Sequence, residues 1–220
     1  MRFSSVLRSS VWLAALCLCA QEPKPPSPPA SLNEAKRLLP RGGPSDYQAQ
    51  AKAGAVTIGA EFMRHAIPAP DGTFSNEDYV AVEVGLFGAS GARTKISIGD
   101  FSLRINGKKA LTGQPYGLAF ENAKDPSWQP PEPPPSKSGG LTTGGDSGQG
   151  SAPPVPPKMP LPLVRVMQQK IEKAAMPEGD RALPEAGLLF FAYHGNSEKI
   201  KSVVLTYSGP AGKATLNLQP

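Results

Sequence analysis

Two stretches of period-two alternation flank a tract of proline and glycine, and no cysteine occurs beyond residue 19. This arrangement restricts the chain more than any other feature. Alternation of this kind is the signature of strands that bury one face. Without disulfides, such strands must hold together by packing alone.

The alternation begins at Val56 and Ile58 and runs toward Phe62. Residues 78–86 then place Val80, Val82, Val84 and Leu86 on one face and Ala81, Glu83 and Gly85 on the other. That pattern predicts a half-buried antiparallel strand. Gly88 to Gly91 read as a turn, and Ile96 and Ile98 as a short strand whose parity Gly99-Asp100 breaks. Phe101, Leu103 and Ile105 alternate up to Asn106-Gly107, a type I′ turn signal. Tyr116, Leu118 and Phe120 read as a further strand or edge. Beyond the tract, Leu163, Met167, Ile171 and Ala174 fall at helical spacing behind Pro162, which suits a first helical turn. Three more strands follow, carried by Leu189, Phe191 and Tyr193, then Val203, Leu205 and Tyr207, then Ala214, Leu216 and Leu218.

Residues 125–160 hold eleven prolines and six glycines without alternation. Such a segment buries too little apolar surface to offset its ordering entropy, and it reads as a disordered insertion. Neither 51–124 nor 161–220 carries enough strands to cover its own apolar faces. The economical expectation is one sandwich built from both, with 125–160 as a long loop whose closure cost grows only logarithmically with length. Two small domains on a linker are the rival.

The N-terminus reads as an export signal. Arg2 and Arg8 precede an apolar run from Val11 to Ala20. That run is about half the roughly 20 residues a membrane span needs, and it fits the apolar region of a secretory signal with cleavage after Ala20. Acylation at Cys17 or Cys19 and retention as an anchor are the alternatives, although for acylation Leu16 and Leu18 stand where a small residue is wanted. Loss of Arg2 and Arg8 lowers the net charge from +5 to +3 and removes both cysteines. Thiolate metal sites and cysteine nucleophiles then drop out. So small a charge, with basic residues scattered along the chain, argues against a nucleic-acid partner. Residues 21–50 form a proline-rich spacer in which Ser31 to Glu34 has capping-box spacing and can start a short helix; Arg41-Gly-Gly-Pro44 ends it as a turn.

Residues Val56-Thr-Ile-Gly-Ala60, Tyr79-Val-Ala-Val-Glu-Val84 and Ile98-Gly-Asp-Phe-Ser-Leu-Arg-Ile-Asn-Gly-Lys108, with Gly187-Leu-Leu-Phe-Phe191 and Leu205-Thr-Tyr207, resemble an exported bacterial family. It is the immunoglobulin-like family of unknown function related in fold to the mycobacterial immunoprotective extracellular antigen. The resemblance spans 55–110 and 185–219, on both sides of the tract. It implies an immunoglobulin-like antiparallel β-sandwich, mainly all-β, with the helix as an addition. It carries no catalytic motif. Ala89-Ser-Gly-Ala92 stands where that family has an Asn-centred turn.

Gly145-Asp-Ser-Gly148 has the form of a serine-protease nucleophile motif, but Ser147 lies in the tract, where no rigid strand or oxyanion hole supports it. Asp71 to Asp78 is rich in oxygen ligands, yet Asn76 and Val82 occupy positions where an EF-hand needs glycine and glutamate. It reads as a turn. His65 and His194 are the only histidines and read as surface groups. A hydrolase would need a concave cluster of titratable groups, for example around His65, Asp71 and Glu77. The helix from Leu163 reads as a cover for one end or edge of the sandwich rather than as a membrane-surface helix. The sequence therefore predicts an exported, periplasmic or extracellular, non-catalytic binding or structural module of the bacterial envelope. It predicts no catalytic residue, no cofactor, no metal and no stable membrane span after cleavage. The expected partner is an envelope protein or polymer. The rivals are a lipid-anchored assembly factor and an unrecognised hydrolase.

Overall fold

Glycine and asparagine turns divide the chain into strands short enough to stack in two layers. The structure, a computed structural model, describes residues 37–131 and 158–220. The first sheet holds β1 (Ala49–Ala53), β2 (Val56–Arg64), β5 (Tyr79–Phe87) and β10 (Glu185–Ala192), hydrogen-bonded in that order and antiparallel throughout. The second holds β12 (Gly212–Leu218), β11 (Val203–Gly209), β7 (Phe101–Ile105) and β8 (Leu111–Thr112). Two ribbons complete the strands, β3 (Ala66–Ala69) with β4 (Gly72–Ser75) and β6 (Arg93–Ile96) with β9 (Gly179–Ala182). The chain crosses between the sheets from β5 to β7, from β8 to β10 and from β10 to β11. β5 pairs with β10 in one sheet and β7 with β11 in the other. This is the immunoglobulin-like Greek key. Both sheets join strands from either side of the tract, so the two halves share one core.

The core follows the register. In the second sheet Leu111, Leu103, Leu205 and Leu216 form a row facing inward. The adjacent row, Thr112, Ser102, Thr206 and Thr215, faces outward. Opposite the leucines lie Ile58, Phe62, Val80, Val82, Val84, Leu189 and Phe191 of the first sheet. Asn106 and Gly107 adopt positive φ of 52° and 68°, and Lys108 N–H donates to the Ile105 carbonyl at 3.0 Å, the expected type I′ turn.

The first sheet is buried on both faces, not half-buried as the alternation suggested. Ala81, Leu188 and Phe190 point away from the sandwich into a second cluster with Ile67 and Phe74. Helix α2 (Leu161–Ala174) closes that cluster through Met167, Ile171 and Ala174, while Leu163 of the predicted stripe is 47% exposed. The helix thus covers a face, not an end or edge, because the outward positions of β5 and β10 are themselves apolar. Its exit packs along β10: Met176 N–H donates to the Leu188 carbonyl at 2.9 Å. Gly187 permits that approach, since a Cβ there would collide with the Met176 backbone.

Three other expectations change. Tyr116, Leu118 and Phe120 belong to a helix, α1 (Tyr116–Glu121), not a strand. Tyr116, Ala119, Phe120 and Ala123 stand at helical spacing and meet the second cluster, so period 3.6 prevails over the apparent period of two. The spacer expected over 21–50 is part of the sandwich from its later residues onward: Leu38 meets the second cluster, Pro44–Asp46 is a turn of 3-10 helix and β1 begins at Ala49. The expected tract over 125–160 is ordered at its near margin. Lys124 and Ser75 exchange backbone hydrogen bonds at 2.7 and 3.0 Å, Trp128 N–H donates to the Asp125 carbonyl, and Trp128 is half-buried. The export signal of 1–20 with Cys17 and Cys19, the helix expected from Ser31, and Ser147 of Gly145 to Gly148 lie outside the described residues.

Candidate functional site

One end of the sandwich gathers both histidines. Arg64, with φ of 56°, ends β2 and turns the chain so that His65 enters between loops. His65 Nδ1 lies 2.8 Å from the carbonyls of Asn76 and of Tyr79, and Nε2 lies 3.0 Å from the carbonyl of Gly195. Carbonyl oxygens only accept, so a neutral ring donates from one nitrogen at a time, and in either tautomer the ring sits between the loops that carry Asn76, Tyr79 and Gly195. The ring also leans on Tyr193, with centroids 6.2 Å apart.

Asn76 is the second knot and is fully buried. Its Oδ1 accepts from the backbone N–H groups of Asp78 and Tyr79, at 2.7 and 3.2 Å. Its Nδ2 donates to the Ala119 carbonyl at 2.5 Å. A buried amide with no partner would cost about 1–3 kcal/mol, so this residue is fixed by what it satisfies. The acidic turn from Asp71 to Asp78 therefore divides. Asp71 stands in the β3–β4 turn, Phe74 enters the second cluster and Asn76 anchors the loop.

Outside these knots lies an exposed polar group. His194 and Asp78 are paired at 2.9 Å, and Asn122 Nδ2 donates to Asp78 Oδ2 at 2.7 Å. The His194 hydrogen bond is the main influence holding the Asp78 carboxyl below its ordinary range, with Asn122 adding to it and desolvation opposing. Lys124 pairs with Glu77 at 2.8 Å. Glu77, Asp78, Asn122, Ala123 and Lys124 line a shallow cleft. The expected trio of His65, Asp71 and Glu77 does not act as a unit: His65 bonds to carbonyls, Glu77 to Lys124, and Asp71 lines a different recess with Asp125 and Lys170. His65 is half-buried between loops, and His194 is exposed. Among the described residues no three His, Cys, Asp or Glu side chains come together as metal ligands. Among them too, no helix is long and apolar enough to cross a membrane.

The same end carries a second construction that sequence spacing concealed. Asn106 joins the β7–β8 turn to the segment before β11. Its backbone N–H donates to the Ser202 carbonyl at 2.9 Å, and its Nδ2 donates to the Lys199 carbonyl at 2.9 Å. Its Oδ1 accepts from the backbone N–H groups of Lys201 and Ser202 at 2.7 and 3.1 Å. Residues more than ninety positions apart in sequence thus form one surface. The only hint in the sequence was the lysines following each segment's turn residues.

No protein-family model matches this chain, and neither a curated protein nor a solved structure matches it.

Proposed function

We propose that this chain is an exported, non-catalytic binding module of the bacterial envelope that presents the loop end of an immunoglobulin-like sandwich to its partner. The resemblance to the exported immunoglobulin-like family of unknown function supports this reading, as do the export-type N-terminus and the absence of cysteine beyond Cys19. The observation that carries it is the commitment of His65. A general base must reach a substrate proton with a free lone pair. Both nitrogens of His65 lie against backbone carbonyls, and Asn76 binds the backbone N–H groups of Asp78 and Tyr79 and the Ala119 carbonyl. The polar groups of this end hold loops in place, which is what a recognition surface on a rigid scaffold requires.

The test is expression with the native leader, followed by fractionation and intact mass. The expected product is found in the envelope or medium and begins near Gln21. A product retained in the cytoplasm at full mass overturns the reading. An acylated mass at Cys17 or Cys19 replaces it with the lipid-anchored assembly factor.

A further inference from the structure

Five basic residues converge at the Asn106 knot. Lys108 and Lys109 follow the type I′ turn, Lys199 and Lys201 flank Ile200 on the joined segment, and Arg104 stands on the outward face of β7 just before the turn. All five are exposed, and none forms an ion pair with a described carboxylate. Glu198 is the only acid in either segment. By contrast, Arg37, Arg41, Arg93 and Lys124 each meet a carboxylate. The four hydrogen bonds of Asn106 continue the β7–β11 ladder beyond the Ile105–Val203 pair and hold the two lysine pairs on one surface.

We infer that the loop tip formed by Arg104, Lys108, Lys109, Lys199 and Lys201 docks electrostatically on a bilayer bearing anionic phosphodiester headgroups. This deepens the envelope-module reading and rests on it. Clusters of four to eight Lys and Arg are attracted to anionic lipid surfaces by the summed surface potential. Four of the five here are lysines, compact charges on long stems that suit a diffuse anionic plane rather than the bidentate recognition at which arginine excels. No aromatic residue lies in 104–111 or 196–202, so the tip offers no platform for stacking bases or sugar rings. Ile200 points into the sandwich core, so the contact is made by charge and not by an inserted apolar wedge.

The experiment is co-sedimentation of the full chain with vesicles. One set mixes phosphatidylglycerol with phosphatidylethanolamine; the other is phosphatidylcholine alone, which subtracts any contribution of the apolar run Val11 to Ala20. Binding is expected on the anionic vesicles only, and it should disappear near 1 M salt, where the screening length is about 3 Å. The variant K108E/K109E/K199E/K201E should bind at least about a hundredfold more weakly. It should keep the wild-type melting curve, since none of these side chains is buried. A variant with the same charge change elsewhere, K52E/K95E/K158E/K213E, should bind within about threefold of wild type. Equal sedimentation with both lipids, or equal loss in both variants, overturns the proposal. So does capture of soluble dextran sulfate in the absence of vesicle binding, which would assign the tip to an anionic polymer. The assay uses purified lipid, so its failure leaves the envelope-module reading to the mass and fractionation test.

Discussion

Glu61 and Glu83 stand directly opposite one another on β2 and β5, on the face of the first sheet that points away from the sandwich core. Like charges in that relation repel, and Glu83 is only 6% exposed. Arg41 resolves the conflict. Its Nε and Nη2 donate to the two oxygens of Glu83 at 3.1 and 2.7 Å, and its Nη1 meets Glu61 at 2.5 Å. The Glu83 hydrogen bond is the main influence raising the guanidinium above its already high ordinary value. The same guanidinium lies 4.6 Å over the Tyr47 ring. One arginine therefore fastens residues 41–47 across the outer face of the sheet.

Removing that arginine should be costly. Arg41→Met leaves Glu83 buried, uncompensated and opposite Glu61. Breaking a buried pair costs about 3–5 kcal/mol, and because Arg41 and Glu61 are each about one-third exposed, about 2–4 kcal/mol is expected here. Adding Glu83→Gln to Arg41→Met should recover at least half of the loss, because the amide carries no charge to leave unpaired. Urea midpoints of the four proteins of the cycle measure this. If Arg41→Met alone costs less than about 0.5 kcal/mol, the ion cluster is not what holds the strap.

The seat beneath Tyr47 gives a second expectation. Gly59 and Gly85 are register partners, and the Tyr47 ring rests in the trough they leave. A Cβ at Gly85 would lie 2.5 Å from the Tyr47 hydroxyl oxygen and 2.7 Å from its ring. Gly85→Ala should cost about 1–3 kcal/mol by overpacking. In a Tyr47→Ala background the same substitution should cost less than half as much, the remaining close neighbour being the Phe87 ring edge at 2.8 Å. Burial is the main influence raising the Tyr47 phenol above its ordinary value. Gly85→Ala should bring its ultraviolet titration back toward that of a free tyrosine as the ring is displaced.

How far these features were legible in the sequence depends on what each residue pairs with. The inward row Val80, Val82, Val84 and Leu86 was readable because period two reports a buried face directly. The second face of β5 was not. Ala81, Glu83 and Gly85 look like a solvated face until one knows that α2 covers Ala81, Arg41 covers Glu83 and Tyr47 covers Gly85. β1 was missed because Ala49-Gln-Ala-Lys-Ala53 lacks branched and aromatic residues, and its strand form comes from pairing with β2. The Asn106-Gly107 turn was local and therefore visible. Its junction with Lys199, Lys201 and Ser202 depends on the β7–β11 register and was not.

Helix α2 permits a comparison within one predicted stripe. Ile171 is fully buried in the second cluster, whereas Leu163, two turns earlier on the same stripe, is 47% exposed. Ile171→Ala should cost about 2–4 kcal/mol, and Leu163→Ala should stay within about 0.5 kcal/mol. Thermal denaturation of both variants decides it. Equal costs would mean that the helix is seated along its whole length.

Two carboxylates should bend the pH dependence of stability in opposite directions. The His194 hydrogen bond holds the Asp78 carboxyl below its ordinary range in the folded protein. A lowered folded value stabilises the fold above the unfolded carboxylate value, near 3.9, and that contribution is lost as pH falls through the lower folded value. Asp100 behaves the other way: burial raises its carboxyl, with nearby Lys95 opposing. Its stabilisation is complete below about pH 3.9 and is lost as pH rises through the raised folded value. Asp78→Asn should therefore flatten the acid limb below about pH 4. Asp100→Asn should leave that limb in place and remove the decline just above it, so that the variant gains on wild type between about pH 4 and 7. Urea midpoints taken from about pH 2.5 to 7 separate the two. An Asp100→Asn variant that loses stability at neutral pH would show that the carboxylate makes a favourable contact outweighing its desolvation.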